Sequence, residues 1–222
     1  YKRNQDIVRI LSGNSEFSYV VSVVDGWNNP NQLTGDKHGR NVAISVAEHF
    51  PQTFLASSIK DVINRAKTAA SLVDETVNNL SPQYASAVAS FLFHGKKEDV
   101  IVSVGDVETY LWNGKEWYKP KEISDHWIDP AKYPSNVSRF FGCWERKQYP
   151  IFSAEPDVLV IPSDTSVMIA TDGIKDVLSI KDINSITQQV SEKTPTNLVE
   201  ALLKEIEARK TQRDDISILV RF

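Results

Sequence analysis

Tyr19-Val20-Val21-Ser22-Val23-Val24-Asp25-Gly26 is the stretch from which the fold can be read. The run is apolar and rich in β-branched residues, as expected of a strand covered on both faces, and it is expected to stop at Asp25-Gly26. Three other stretches share its form. Val167-Met168-Ile169-Ala170-Thr171 leads into Asp172-Gly173, and Val100-Ile101-Val102-Ser103-Val104 leads into Gly105-Asp106. Asp214-Asp215 directly precedes Ile216-Ser217-Ile218-Leu219-Val220. An Asp followed by Gly also ends many strands in an ordinary turn, so a single instance says little. Four apolar strands with an Asp at one end say more. If those ends converge they form an oxygen-lined anionic pocket, the natural seat of a divalent cation.

Around these strands the periodicity alternates between strands and helices. Asp6 to Ile10 reads as a short strand turned at Ser12-Gly13-Asn14-Ser15. Val42, Val46 and Phe50 mark a short helix that Pro51 should close, and Ile59, Val62, Ile63, Ala66, Ala69, Ala70, Val73 and Val77 mark a longer one. Ala85 to Phe93 and Val100 to Val104 are strands, and Asn113-Gly114 is a hairpin signal between Thr109–Trp112 and Glu116–Tyr118. Leu159 to Ile161 is a further strand. Ile183, Ile186 and Val190 suggest a short helix, and Pro195 opens another through Ile206. From Pro120 to Pro156 the pattern is lost. A connection of that length is usually functional, so Asp125 to Pro150 is expected to govern access to a site. Antiparallel hairpins with helices grouped in pairs predict an α+β fold with sheet packed on sheet and helices outside.

Composition narrows the chemistry. The 222 residues carry a formal net charge of −4, with 41% hydrophobic and 24% charged residues. That is an ordinary globular balance, and it argues against a nucleic-acid partner, which would call for a basic surplus. One domain spanning 1–222 is expected. No apolar run reaches the roughly 20 residues of a membrane span, so no membrane association is expected. The lone Cys143, beside Phe140, Phe141 and Trp144, reads as a packed residue in a reducing, cytoplasmic setting. His38, His49, His94 and His126 show no ligand spacing. Carboxylates and carbonyls select Mg²⁺, Mn²⁺ or Ca²⁺, and no nucleophile motif or phosphate-cradling loop competes for the chemistry.

Taken in order, Asn4-Gln5-Asp6, Val23-Val24-Asp25-Gly26, Ser86-Ala87-Val88, Val102-Ser103-Val104-Gly105-Asp106, Ala170-Thr171-Asp172-Gly173-Ile174-Lys175-Asp176-Val177-Leu178 and Arg213-Asp214-Asp215-Ile216-Ser217-Ile218 resemble the successive signatures of the metal-dependent protein phosphatases of type 2C, bacterial members above all. The resemblance covers essentially the whole chain. It implies a four-layer αββα sandwich, with two central antiparallel β-sheets flanked by helices. It also implies a hydrolase of phosphoserine and phosphothreonine that uses two or three Mn²⁺ or Mg²⁺ ions. Asp25, Asp172 and Asp214 are the catalytic ligands so implied. Asp25 would bridge the ions, Gly26 would offer its carbonyl, and Asp106 would help hold the additional, weaker ion. Gln5 stands where many members have a ligating Glu, and Asp6 and Asp215 stand behind the ligands.

The pattern also shows departures. Tyr1 falls where members often carry a phosphate-binding Arg, which leaves Arg3 for that role. Trp27 follows Asp25-Gly26 where animal members have a histidine, Val107 replaces a serine, and Asp215 stands where members have Asn. The partner implied is a phosphorylated protein, with the enzyme opposing a Ser/Thr kinase, and a monomer is expected. The alternative reading is a pseudophosphatase, a scaffold or binding module that kept the fold with an impaired metal site.

Overall fold

The computed structural model describes residues 5–28, 37–80, 85–124, 138–142, 152–209 and 215–222. Among the described residues, ten strands and five helices follow one another as β1 (Ile7–Ser12), β2 (Phe17–Asn28), α1 (Lys37–Ala56), α2 (Val62–Leu80), β3 (Ala85–Gly95), β4 (Glu98–Val104), β5 (Glu108–Trp112), β6 (Trp117–Tyr118), β7 (Phe141–Gly142), β8 (Asp157–Pro162), β9 (Val167–Ala170), α3 (Gly173–Val177), α4 (Ile180–Gln189), α5 (Pro195–Arg209) and β10 (Ile218–Arg221). One sheet has the order β1-β2-β3-β4-β8, with β7 also paired to β3, and the other has β10-β9-β5-β6. Every pairing between these strands is antiparallel. None of the described helices is long and apolar enough to cross a membrane.

Three cores separate four layers, as the predicted αββα arrangement requires. The two faces of β2 show how. Val20 and Val24 lie in the core formed with α1 and α2, alongside Val46, Phe50, Ala66 and Val73. Val21 and Val23, alternate residues of the same strand, point the other way and meet Leu111, Val167 and Ile169 of the second sheet. Behind the second sheet, Met168 and Tyr110 pack on Ile174, Ile183, Leu198 and Leu202 of the remaining helices. The unbroken apolar run of β2 therefore reflects burial from both sides.

Several boundaries differ from the sequence reading for identifiable reasons. Strand β2 continues past Asp25-Gly26, because the longer β3 still offers partners: Asp25 faces Val88, Gly26 faces Ala87 and Trp27 faces Ser86. On its other edge, β1 has already ended, with Ile7 opposite Val24. Helix α1 runs through Pro51. A proline costs a helix about 3 kcal/mol, but stopping there would expose Phe54, which is fully buried and lies 4.1 Å from Phe93 between ring centroids. Helix α2 starts later than Ile59, because Asp61 supplies its start: the carboxylate accepts from Asn64 N (2.8 Å) and the carbonyl from Arg65 N (2.9 Å). The hairpin at Asn113-Gly114 is present, with Leu111 opposite Tyr118 and Gly114 at a φ of 91°. Of the aperiodic connection, residues 125–137 and 143–151, with Cys143 and His126, lie outside the described residues.

The far end of β10 is tied to the other sheet. Arg221 pairs with the fully buried Asp99 of β4, which also holds His94 Nδ1 at 2.8 Å, and Arg221 Nη2 donates to Thr165 O at 2.6 Å.

Candidate active site

At the opposite end of β9 and β10 the two sheets meet again. Asp25 of β2 stands one step beyond the last β1 pair, directly alongside Asp6. Asp6 is buried and hydrogen-bonded to Asp25, Thr171 and Ser217. Thr171 Oγ1 donates to Asp6 Oδ2 at 2.8 Å and accepts from Ser217 N at 2.9 Å, while Thr171 N donates to Ser217 O at 3.0 Å. A single threonine thus ties the ends of β1, β9 and β10 together. Asp215 closes the same corner, its Oδ2 accepting from Gln5 N at 3.3 Å.

Electrostatics follow from that crowding. Burial pushes the Asp6 carboxyl up to about 6, the hydrogen bonds from Thr171, Ser217 and Asp25 offset part of the rise, and the nearby Asp215 charge adds to it. A hydrogen bond between two carboxyls needs one shared proton.

Asp172 occupies the N-cap position of α3, and its side chain makes no capping bond. The next residue, Gly173, is pressed against the neighbouring segment: a Cβ there would lie 2.4 Å from the Asp215 carbonyl oxygen. The chain segments bearing Asp172 and Asp215 are therefore in backbone contact. Gly26 is confined in the same way, since its Cβ would fall 2.4 Å from Gly39 O and 3.0 Å from the Ala43 Cβ of α1. Gly39 in turn meets Gln5, whose Oε1 is buried and has no hydrogen-bond partner among the described residues.

Asp106 belongs to a second cluster. It follows Gly105, whose φ of 97° and contacts with Val88 admit no side chain. Lys175 of α3 places its Nζ 3.6 Å from Asp106 Oδ2 and 3.2 Å from Glu108 Oε1, and Lys119 Nζ lies 3.0 Å from Glu108 Oε2.

The structure thus brings Asp6, Asp25 and Asp215 together with Gln5, and it sets Asp172 next to the threonine that joins them. Arg3, Tyr1 and Asp214 lie outside the described residues, and among the described residues no group of three or more His, Cys, Asp or Glu side chains is arranged to hold a metal ion. Sequence reasoning missed Thr171, Gly39, Glu108 and Lys175. Thr171 carried a faint signal as the one hydroxyl in an apolar strand end, and Lys175 lies three residues beyond Asp172, about one helical turn away.

A family model described as Protein phosphatase 2C matches residues 133–215. Among solved structures, the chain is similar to the serine/threonine phosphatase Stp1 from Staphylococcus aureus, with 15% identity and a TM-score of 0.73 over 98% of this chain and 88% of that one. It is also similar to the S. agalactiae serine/threonine phosphatase, with 16% identity and a TM-score of 0.70 over 99% and 93%. A third is PppA of Pseudomonas aeruginosa, a regulatory component of T6SS, at 17% identity and a TM-score of 0.71 over 99% and 90%. No curated protein matches the chain by sequence. The fold is therefore that of the type 2C phosphatases, and the matched segment contains the Asp172-Gly173 turn and Asp215.

Proposed function

We propose that this chain, built on the type 2C phosphatase fold and matching that family's model over residues 133–215, hydrolyses phosphoserine and phosphothreonine in proteins with the help of divalent cations. The observation that carries the reading is the Thr171–Asp6–Asp25 chain of hydrogen bonds, which unites carboxylate-bearing strand ends from both sheets beside Asp172.

The donor set suits a hard cation. It consists of oxygens only, one of them the buried and unpartnered Gln5 Oε1, and a proton is shared where a cation would otherwise balance the charge. Asp25, the Gly26 carbonyl and Asp172 would hold Mn²⁺ or Mg²⁺, completed by Asp214. When bound, such ions lower the pKa of a water and neutralise phosphoryl oxygens as charge develops. The chain's own residues then hold this arrangement in place. Thr171 fixes the orientation of Asp6, Asp6 stands directly beside Asp25, and the Gly173 contact keeps Asp172 close to Asp215. Arg3 would bind the phosphate, and the natural substrate is a protein phosphorylated by an opposing Ser/Thr kinase.

Hydrolysis of p-nitrophenyl phosphate tests the reading. Turnover is expected with Mn²⁺ or Mg²⁺ and is expected to vanish with EDTA. Turnover that survives chelation would overturn the metal-dependent mechanism, and absence of turnover with every divalent ion would leave the scaffold reading.

A further inference from the structure

Asp106 lies in the turn after β4 and Glu108 opens β5, and both carboxylates reach the same Lys175 ammonium. Both are buried, with relative exposures of 7% and 3%. Buried carboxylates need compensating positive charge. Here the charge is already supplied. Lys175 Nζ sits between the two, 3.6 Å from Asp106 Oδ2 and 3.2 Å from Glu108 Oε1, and Lys119 reaches the other Glu108 oxygen at 3.0 Å. Among the described residues, two carboxylates meet two ammonium groups here. A divalent ion bound through Asp106 Oδ2 would share that oxygen with the Lys175 ammonium, and like charges at that separation repel. The additional, weaker metal that the family resemblance implies at Asp106 therefore does not fit the residues present.

We propose that Lys175 is the resident cation of this corner, so that Asp106 binds no divalent ion in the native chain. The position of Lys175 gives it a second consequence, because it lies on the helix that Asp172 begins. The ion pair ties α3 to the turn after β4, and the end of the helix that carries Asp172 is held without recourse to a metal.

The test counts bound Mn²⁺ per chain by electron paramagnetic resonance of the free ion, with folding checked by circular dichroism. Removing the ammonium in Lys175→Ala is expected to add one bound ion per chain at roughly millimolar free Mn²⁺. Lys175→Arg, which keeps the charge, should add none, and Asp106→Asn combined with Lys175→Ala should abolish the gain. A folded Lys175→Ala chain with an unchanged count would overturn the proposal. Should that variant not fold, Asp106→Asn in the native background decides. An unchanged count supports Lys175 as the cation, whereas the loss of one ion shows that a metal occupies Asp106. All comparisons are differences between variants, so the result stands whether or not the native chain proves to be a phosphatase.

Discussion

Replacing Gly26 by Ala puts a methyl group where the structure has no room for one. Its Cβ would lie 2.4 Å from Gly39 O, 2.8 Å from Gly39 C and 3.0 Å from the Ala43 Cβ. None of these atoms belongs to the far end of a flexible side chain, and ordinary contact begins at 3.4 Å, so the first turn of α1 has to withdraw by about 1 Å. Withdrawal loosens Ala43, Val46 and Ala47, which are completely buried. Overpacking of this kind costs about 1–3 kcal/mol, and the rigid backbone on both sides places Gly26→Ala near the upper end. For a chain of this size that corresponds to a fall in melting temperature of about 6–12 °C. Gly114→Ala is the control, because nothing lies within 4 Å of its Cβ and only the φ of 91° is strained, at about 1 kcal/mol. Urea denaturation followed by circular dichroism compares the two. Because a displacement of 1 Å beside Asp25 also disturbs the site, phosphatase activity should drop about 100-fold. If Gly26→Ala proved as stable as Gly114→Ala, the close approach of α1 to β2 would be wrong.

Asp172→Ala should lower p-nitrophenyl phosphate turnover by more than about 100-fold while changing the unfolding free energy from urea denaturation by less than about 1 kcal/mol, since the side chain does not cap α3. Thr171→Val keeps the shape but strips Asp6 and Ser217 N of their shared partner, and should cost about 2 kcal/mol in the same denaturation assay. Asp6 keeps its proton up to about pH 6 in the folded chain but releases it near 3.8 when unfolded, so folding takes up a proton between these values. Stability of chelator-treated protein should therefore fall as pH rises through that window, by up to about 3 kcal/mol, and Asp6→Asn should flatten the dependence.

The layered architecture was legible because β2 buries both faces and its sequence says so, Val20 and Val24 toward the helices and Val21 and Val23 toward the second sheet. Strand and helix ends were less legible, because they depend on partners elsewhere. Gly26 stays in a strand only because Ala87 is opposite, and α1 passes Pro51 only because Phe54 has a core to enter. Within the candidate site, Asp25 and Asp172 drew notice in the sequence because a carboxylate at an apolar strand end breaks a local pattern. Lys175 reaches Asp106 across 69 positions, a pairing that no local periodicity records.

Strand β10 is fastened at both extremities. Ser217, just before it, joins Thr171 and through it Asp6 of the first sheet, while Arg221 at its close grips Asp99 of the same sheet. Two anchor points about 13 Å apart along one strand deny the layers a pivot. A single tether would let one sheet swing against the other and carry Asp172 away from Asp25. With both in place, an arginine at the remote end of the sandwich helps to fix the layer that carries Asp172 against the layer that carries Asp25.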